Sequence, residues 1–67
     1  MIDVILNGES KSFDTDLTVA VLLETVGVKA ETVVVELNGK LVTREHFDSE
    51  TVADGDRLEL VRIVGGG

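Results

Sequence analysis

Thr18-Val19-Ala20-Val21-Leu22-Leu23-Glu24-Thr25-Val26-Gly27 is the stretch on which the fold turns. Val19, Leu22, Leu23 and Val26 stand at i, i+3, i+4 and i+7, which is one stripe of an α-helix. Thr18 offers a side-chain oxygen to cap the first turn, and Gly27 is placed to end the last one in a left-handed conformation. The spacing predicts a single amphipathic helix of about 9 residues. Val19 and Val21 also suit a strand, so Leu17 to Leu23 as buried β is the alternative reading.

Strand patterns lie on both sides. Ile2, Val4 and Leu6 alternate with Asp3 and Ile5, and Asn7-Gly8 is a strong two-residue hairpin signal that returns the chain along Glu9 to Phe13. After the helix, Thr32 to Leu37 alternates with Val33, Val35 and Leu37 on one side, and Asn38-Gly39 turns it into Lys40 to Thr43. Arg44 to Thr51 is polar around Phe47, which is expected to anchor a short helical turn or loop onto the core. Asp54-Gly55-Asp56 turns the chain into Arg57 to Ile63, where Leu58 and Leu60 face one way and Arg57, Glu59, Val61 and Ile63 the other. The order β, β, α, β, β, β predicts an α+β fold, a mixed sheet of four to five strands with one main helix packed on one face.

Composition narrows the function. The 67 residues include no Cys and one His, so disulfides and thiolate metal sites are excluded, and no metal site is expected. With Phe13 and Phe47 as its aromatics and no Trp or Tyr, the core has to be aliphatic. A chain this short buries only about 60% of the surface its unfolded form exposes, so that core must be economical. Thirteen acidic residues against six basic ones give a formal net charge of −7, and no Lys/Arg cluster is present to neutralise phosphates. Nucleic acid is therefore not an expected partner, whereas a protein with a basic docking face is. No apolar run approaches the roughly 20 residues of a membrane span, and Met1-Ile2-Asp3-Val4 is strand-like rather than a basic leader. The expectation is a cytoplasmic protein with no membrane partner.

The last strand runs without a turn into Val64-Gly65-Gly66-Gly67. Residues 1–64 are expected to form the folded domain and 65–67 a flexible C-terminal glycine tail. Three glycines at about 3.3–3.6 Å each can carry a carboxylate about 10 Å beyond the folded body, through a channel too narrow for side chains. The bland alternative is a frayed terminus. Near this exit Val61 and Ile63 should share a surface with Val34, an aliphatic patch suited to docking a partner. Arg62 has the parity of Leu58 and Leu60, so the strand is expected to leave the core there, with Arg62 facing a partner's acidic group or solvent.

Three apparent motifs are declined. Asp14-Thr15-Asp16-Leu17-Thr18 spells D-x-D-x-T, but a phosphatase of that kind needs a large parallel sheet, a lysine and further acidic ligands. Asp54 and Asp56 lack the oxygen ligands of a calcium loop. Glu45 and His46 have no nucleophile or second partner in the sequence.

Together, the β-grasp order, Leu37-Asn38-Gly39 followed by Val42 and Arg44, the turn Asp54-Gly55-Asp56 and the ending Val64-Gly65-Gly66-Gly67 resemble the ThiS family of bacterial thiamine-biosynthesis sulfur carriers. Thr43 stands where that family often has proline. The resemblance implies a ubiquitin-like β-grasp carrier with no catalytic residues of its own. Gly67 would be adenylated by a ThiF-like activating enzyme using ATP and a divalent cation, then converted to a thiocarboxylate by a sulfur donor such as a cysteine desulfurase persulfide. Gly65 and Gly66 would thread into the partner, Val34, Val61, Arg62 and Ile63 would dock it, and a ThiG-like thiazole synthase would take the sulfur. The carrier itself would bind no cofactor. Three other readings stay open: a MoaD-like carrier for molybdopterin, a protein modifier conjugated through Gly67, and a plain β-grasp interaction module.

Overall fold

The computed structural model describes residues 1–63. The predicted domain limit at residue 64 and the tail 65–67 therefore lie outside the described residues. Among the described residues seven strands and one α-helix form: β1 (Ile2–Leu6), β2 (Glu9–Phe13), β3 (Leu17–Thr18), α1 (Val19–Val26), β4 (Val33–Leu37), β5 (Lys40–Val42), β6 (Thr51–Val52) and β7 (Arg57–Arg62). Five of the strands make a mixed sheet in the order β2-β1-β7-β4-β5, with β1 and β7 parallel and the other pairs antiparallel. This is the predicted β-grasp.

The helix forms as its stripe requires. Val19, Leu22 and Leu23 are buried, and the Thr18 hydroxyl accepts from the Val21 amide at 3.2 Å. At the other end Gly27 takes φ 79°, with its amide donating to the Glu24 carbonyl and that of Val28 to Leu23, the paired bonds of a Schellman cap. Opposite the helix, Ile2, Val4 and Leu6 of β1 and Val33, Val35 and Leu37 of β4 supply the core face, with Leu58 of β7 fully buried between them.

Both hairpins turn as Asn-Gly predicts. Asn7 and Asn38 sit at φ 49° and 52°, and their glycines at 82° and 83°, the left-handed pair of a type I′ turn. Their side chains have a second use absent from the sequence reading. Asn7 Oδ1 accepts from the Leu60 amide at 2.7 Å, and Asn38 Oδ1 from the Arg57 amide at 2.9 Å. Asn38 Nδ2 also donates to Asp56 Oδ1 at 3.0 Å. Each turn thus straps β7 into the sheet. Asn38→Gly keeps the turn geometry and removes both side-chain bonds, so it should lower unfolding free energy by about 1–2 kcal/mol in urea titrations.

Three elements, β3, β6 and a 3-10 turn, differ from the sequence expectation. Leu17–Thr18 is a short strand, β3, paired antiparallel with β6 in a separate two-stranded sheet. The strand-like character of Leu17 is therefore real, but it stops where the helix starts. The segment around Phe47 makes a 3-10 turn at Arg44–His46, as expected, and also caps α1: Val19 donates to the Glu50 carbonyl at 2.9 Å and Ala20 to that of Phe47 at 3.0 Å. These are first-turn amides with no partner inside the helix, which is why a polar loop is held so close to it. A second 3-10 turn, Ala30–Thr32, replaces the start of the expected strand at Thr32.

Candidate functional site

Strand β7 delivers the chain toward its C-terminal end, and its burial falls along its length. Leu58 is fully buried, Leu60 half-buried and Arg62 exposed. Parity alone placed Leu58 and Leu60 equally in the core; β1 pairs with β7 only as far as Leu58, and Leu60 packs against the core without being fully covered. Ile63 is held by its amide, which donates to the Thr32 carbonyl at 2.8 Å. The exit is thus anchored one residue before Val64-Gly65-Gly66-Gly67, all of which lie outside the described residues.

Val34 and Val61 are cross-strand partners on the face away from the helix. Val61 is 55% exposed, Ile63 51% and Leu41 63%, so exposed aliphatic side chains lie near the end of β7. Ile63, Val34 and Leu41 border a shallow cleft of about 300 Å³, with Phe47 and Arg44 on its other side. Leu41 is the member that sequence reading missed. The two-residue Asn38-Gly39 turn fixes Leu37 opposite Lys40 and Glu36 opposite Leu41, so the register alone would have placed it. Arg62 does not join this patch: with Lys29 and Gly27 it borders a separate cleft, near the end of α1.

The same outer face carries Glu36 directly opposite Glu59. Like charges in that position oppose the pairing of β4 and β7. The outer face therefore sets an anionic pair beside the aliphatic residues, an arrangement that complements a cationic group.

The declined motifs have structural partners. Thr18 of D-x-D-x-T is the helix cap. Asp54 Oδ1 accepts from the Asp3 amide at 2.7 Å, and Asp56 takes Asn38 Nδ2 on one oxygen and the Ala53 amide on the other at 2.8 Å. His46 Nδ1 lies 2.8 Å from the Thr43 hydroxyl. Thr43 has φ −78°, a value proline also adopts, so the loop keeps the same course with either residue. Among the described residues no three His, Asp or Glu side chains converge on a possible metal position, and no helix is long and apolar enough to cross a membrane.

Comparison with known proteins bears on the whole chain. Residues 4–67 match the model of the ThiS family. The sulfur carrier protein ThiS of Bacillus subtilis is 32% identical over 63 residues, covering 92% of this chain and 96% of that one. A crystal structure of the thiamine biosynthesis protein ThiS of Geobacter metallireducens superimposes with a TM-score of 0.87 at 42% identity, covering 98% of this chain and all of that one. The thiazole synthase of Paramagnetospirillum magneticum is 39% identical over 64 residues, 96% of this chain; the chain spans only 20% of that protein's length.

Proposed function

Because the chain belongs to the ThiS family, we propose that it is a sulfur carrier of thiamine biosynthesis, acting through the carboxylate of Gly67. The observation that carries the reading is that the family match runs to Gly67, the end toward which the outermost, least buried part of β7 leads. It is a co-substrate that other enzymes load and unload, with no catalytic residues of its own.

The chemistry starts from an inert group. An α-carboxylate, with its ordinary pKa near 3.3–3.7, is ionised at neutral pH and resists nucleophiles. In an activating enzyme of the ThiF type, with ATP and a divalent cation, a carboxylate oxygen attacks the α-phosphorus and pyrophosphate leaves. The acyl-adenylate now has a good leaving group. The terminal sulfur of a persulfide attacks the carbonyl, AMP departs, and a thiol splits the remaining S–S bond to leave the thiocarboxylate. A thiazole synthase then takes the sulfur, and this acceptor is supported by the similarity to one segment of the Paramagnetospirillum thiazole synthase.

The folded part serves recognition. Gly65 and Gly66 thread the partner's channel, while Val34, Val61, Ile63 and the added Leu41 dock an apolar surface beside it. The Glu36 and Glu59 pair favours partners that bring an arginine or lysine to that surface. Arg62, which borders the separate cleft, contacts a different part of the partner.

Intact-mass measurement decides the matter. After incubation with the activating enzyme of the same organism, ATP and a persulfide donor, the chain should gain one sulfur in place of one oxygen, with the change confined to the C-terminal peptide. An unchanged mass rejects the proposal.

A further inference from the structure

We infer that Lys29, Arg44 and Arg62 form a basic collar around the exit of the chain, and that it docks on carboxylates rimming the activating enzyme's tail channel. The inference rests on the carrier reading above and adds the chemistry of the surface the partner must present.

Ile63, the last of the described residues, borders two separate clefts. Lys29 and Arg62 line the one beside α1, and Arg44 lines the other. All three side chains are exposed. Among the described residues, Glu31 is the one carboxylate lining these two clefts. Three cations to one anion is the reverse of the whole chain, where six basic residues face 13 acidic ones. Arg44 also borders Glu24 and Asp48 across a neighbouring cleft, so the test is placed on Lys29 and Arg62.

Charge segregation of this kind orients an encounter. A body of net charge −7 is repelled by an acidic rim from most directions, and is attracted only where its own field is reversed. Here that place is where the chain departs for its terminal carboxylate. An acidic rim therefore selects the end-on approach that starts threading, and disfavours approaches in which the tail points away. The C-terminus of α1 also favours nearby cations, which is a purely structural use for Lys29 and Arg62. That use predicts a change in stability alone.

The test compares two double charge reversals of equal size, K29E/R62E at the exit and K11E/K40E away from it, in ATP–pyrophosphate exchange by the activating enzyme. The exit pair should raise the KM for the carrier about tenfold at low salt, leave kcat at saturation unchanged, and lose most of this effect at high salt. The distant pair should change KM little. Equal KM values in the two doubles, or a lowered melting temperature with unchanged KM, overturn the collar. So does binding of Mg-ATP to the chain alone that K29E/R62E abolishes, since the collar would then be a phosphate site. Absence of exchange with the wild-type chain overturns the carrier reading and the collar with it, whereas wild-type exchange with matched KM values overturns the collar alone.

Discussion

Truncation after Gly65 is expected to abolish sulfur loading while leaving the melting temperature of the chain where it was. The two quantities separate because they depend on different parts of the molecule. Stability resides in the aliphatic core, whose last fully buried member is Leu58, and in backbone bonds of which Ile63 to Thr32 is the nearest to the exit. Loading, on the proposed chemistry, needs a carboxylate about 13–14 Å beyond that anchor, and each residue removed withdraws it by roughly 3.3–3.6 Å. A shortened chain still docks but presents no acyl group to the α-phosphorus. It should therefore act as a competitive inhibitor of the full chain in pyrophosphate exchange. Intact mass, thermal melting and inhibition check this together. Equal loading of the truncated and full chains sinks the mechanism, and a large drop in melting temperature means that the tail belongs to the fold. Gly66→Ala is a milder form of the same test, adding one Cβ to the thread with little expected cost to folding.

Leu58→Ala should have the opposite profile, with severe loss of stability and loading reduced only as far as the folded population falls. Leu58 is fully buried in β7, which is paired on one side with β1 and on the other with β4. Removing its side chain leaves a cavity between the sheet and α1, at a cost of about 2–5 kcal/mol. The whole stability of a domain this size is about 3–10 kcal/mol, so the variant is at or near the edge of folding. Leu60→Ala should cost about half as much, since Leu60 is only half-buried. Urea midpoints for the two variants, with Leu58→Met as a volume-conserving control, give the ranking. Equal losses at the two positions would mean that Leu60 is as fully packed as Leu58, against the burial seen along β7.

How much was legible depended on the range of the interaction. Val19, Leu22 and Leu23 repeat at helical spacing, Thr18 and Gly27 bracket them, and the two Asn-Gly pairs force left-handed turns, so the helix and both hairpins could be read locally. The candidate site was legible in part for the same reason. Val34 opposite Val61 follows from two alternating runs brought side by side, and Leu41 from the register of a two-residue turn. Contacts between distant segments left no such trace. Nothing local to Phe47 or Glu50 says that their carbonyls receive the amides of Ala20 and Val19, and nothing in Asn-Gly says that the asparagines also hold β7. The short strands β3 and β6 were missed because two residues carry no period; they pair only because the rest of the fold brings them together.

By itself, the sequence determined that this chain is a small, acidic, aliphatic α+β protein with one main helix, two Asn-Gly hairpins and three glycines after its last strand. Those properties follow from residue type and short-range spacing, which backbone sterics and hydrophobic periodicity make directly readable. Only the tertiary structure decided which cleft each residue lines. Lys29, Arg44 and Arg62 are far apart in the chain and come to line the two clefts that Ile63 borders because β7 runs past the end of β1 and finishes against the start of β4. Sheet order and the fading of burial along β7 are properties of the packed whole, in which each strand's position is set by what the others already cover.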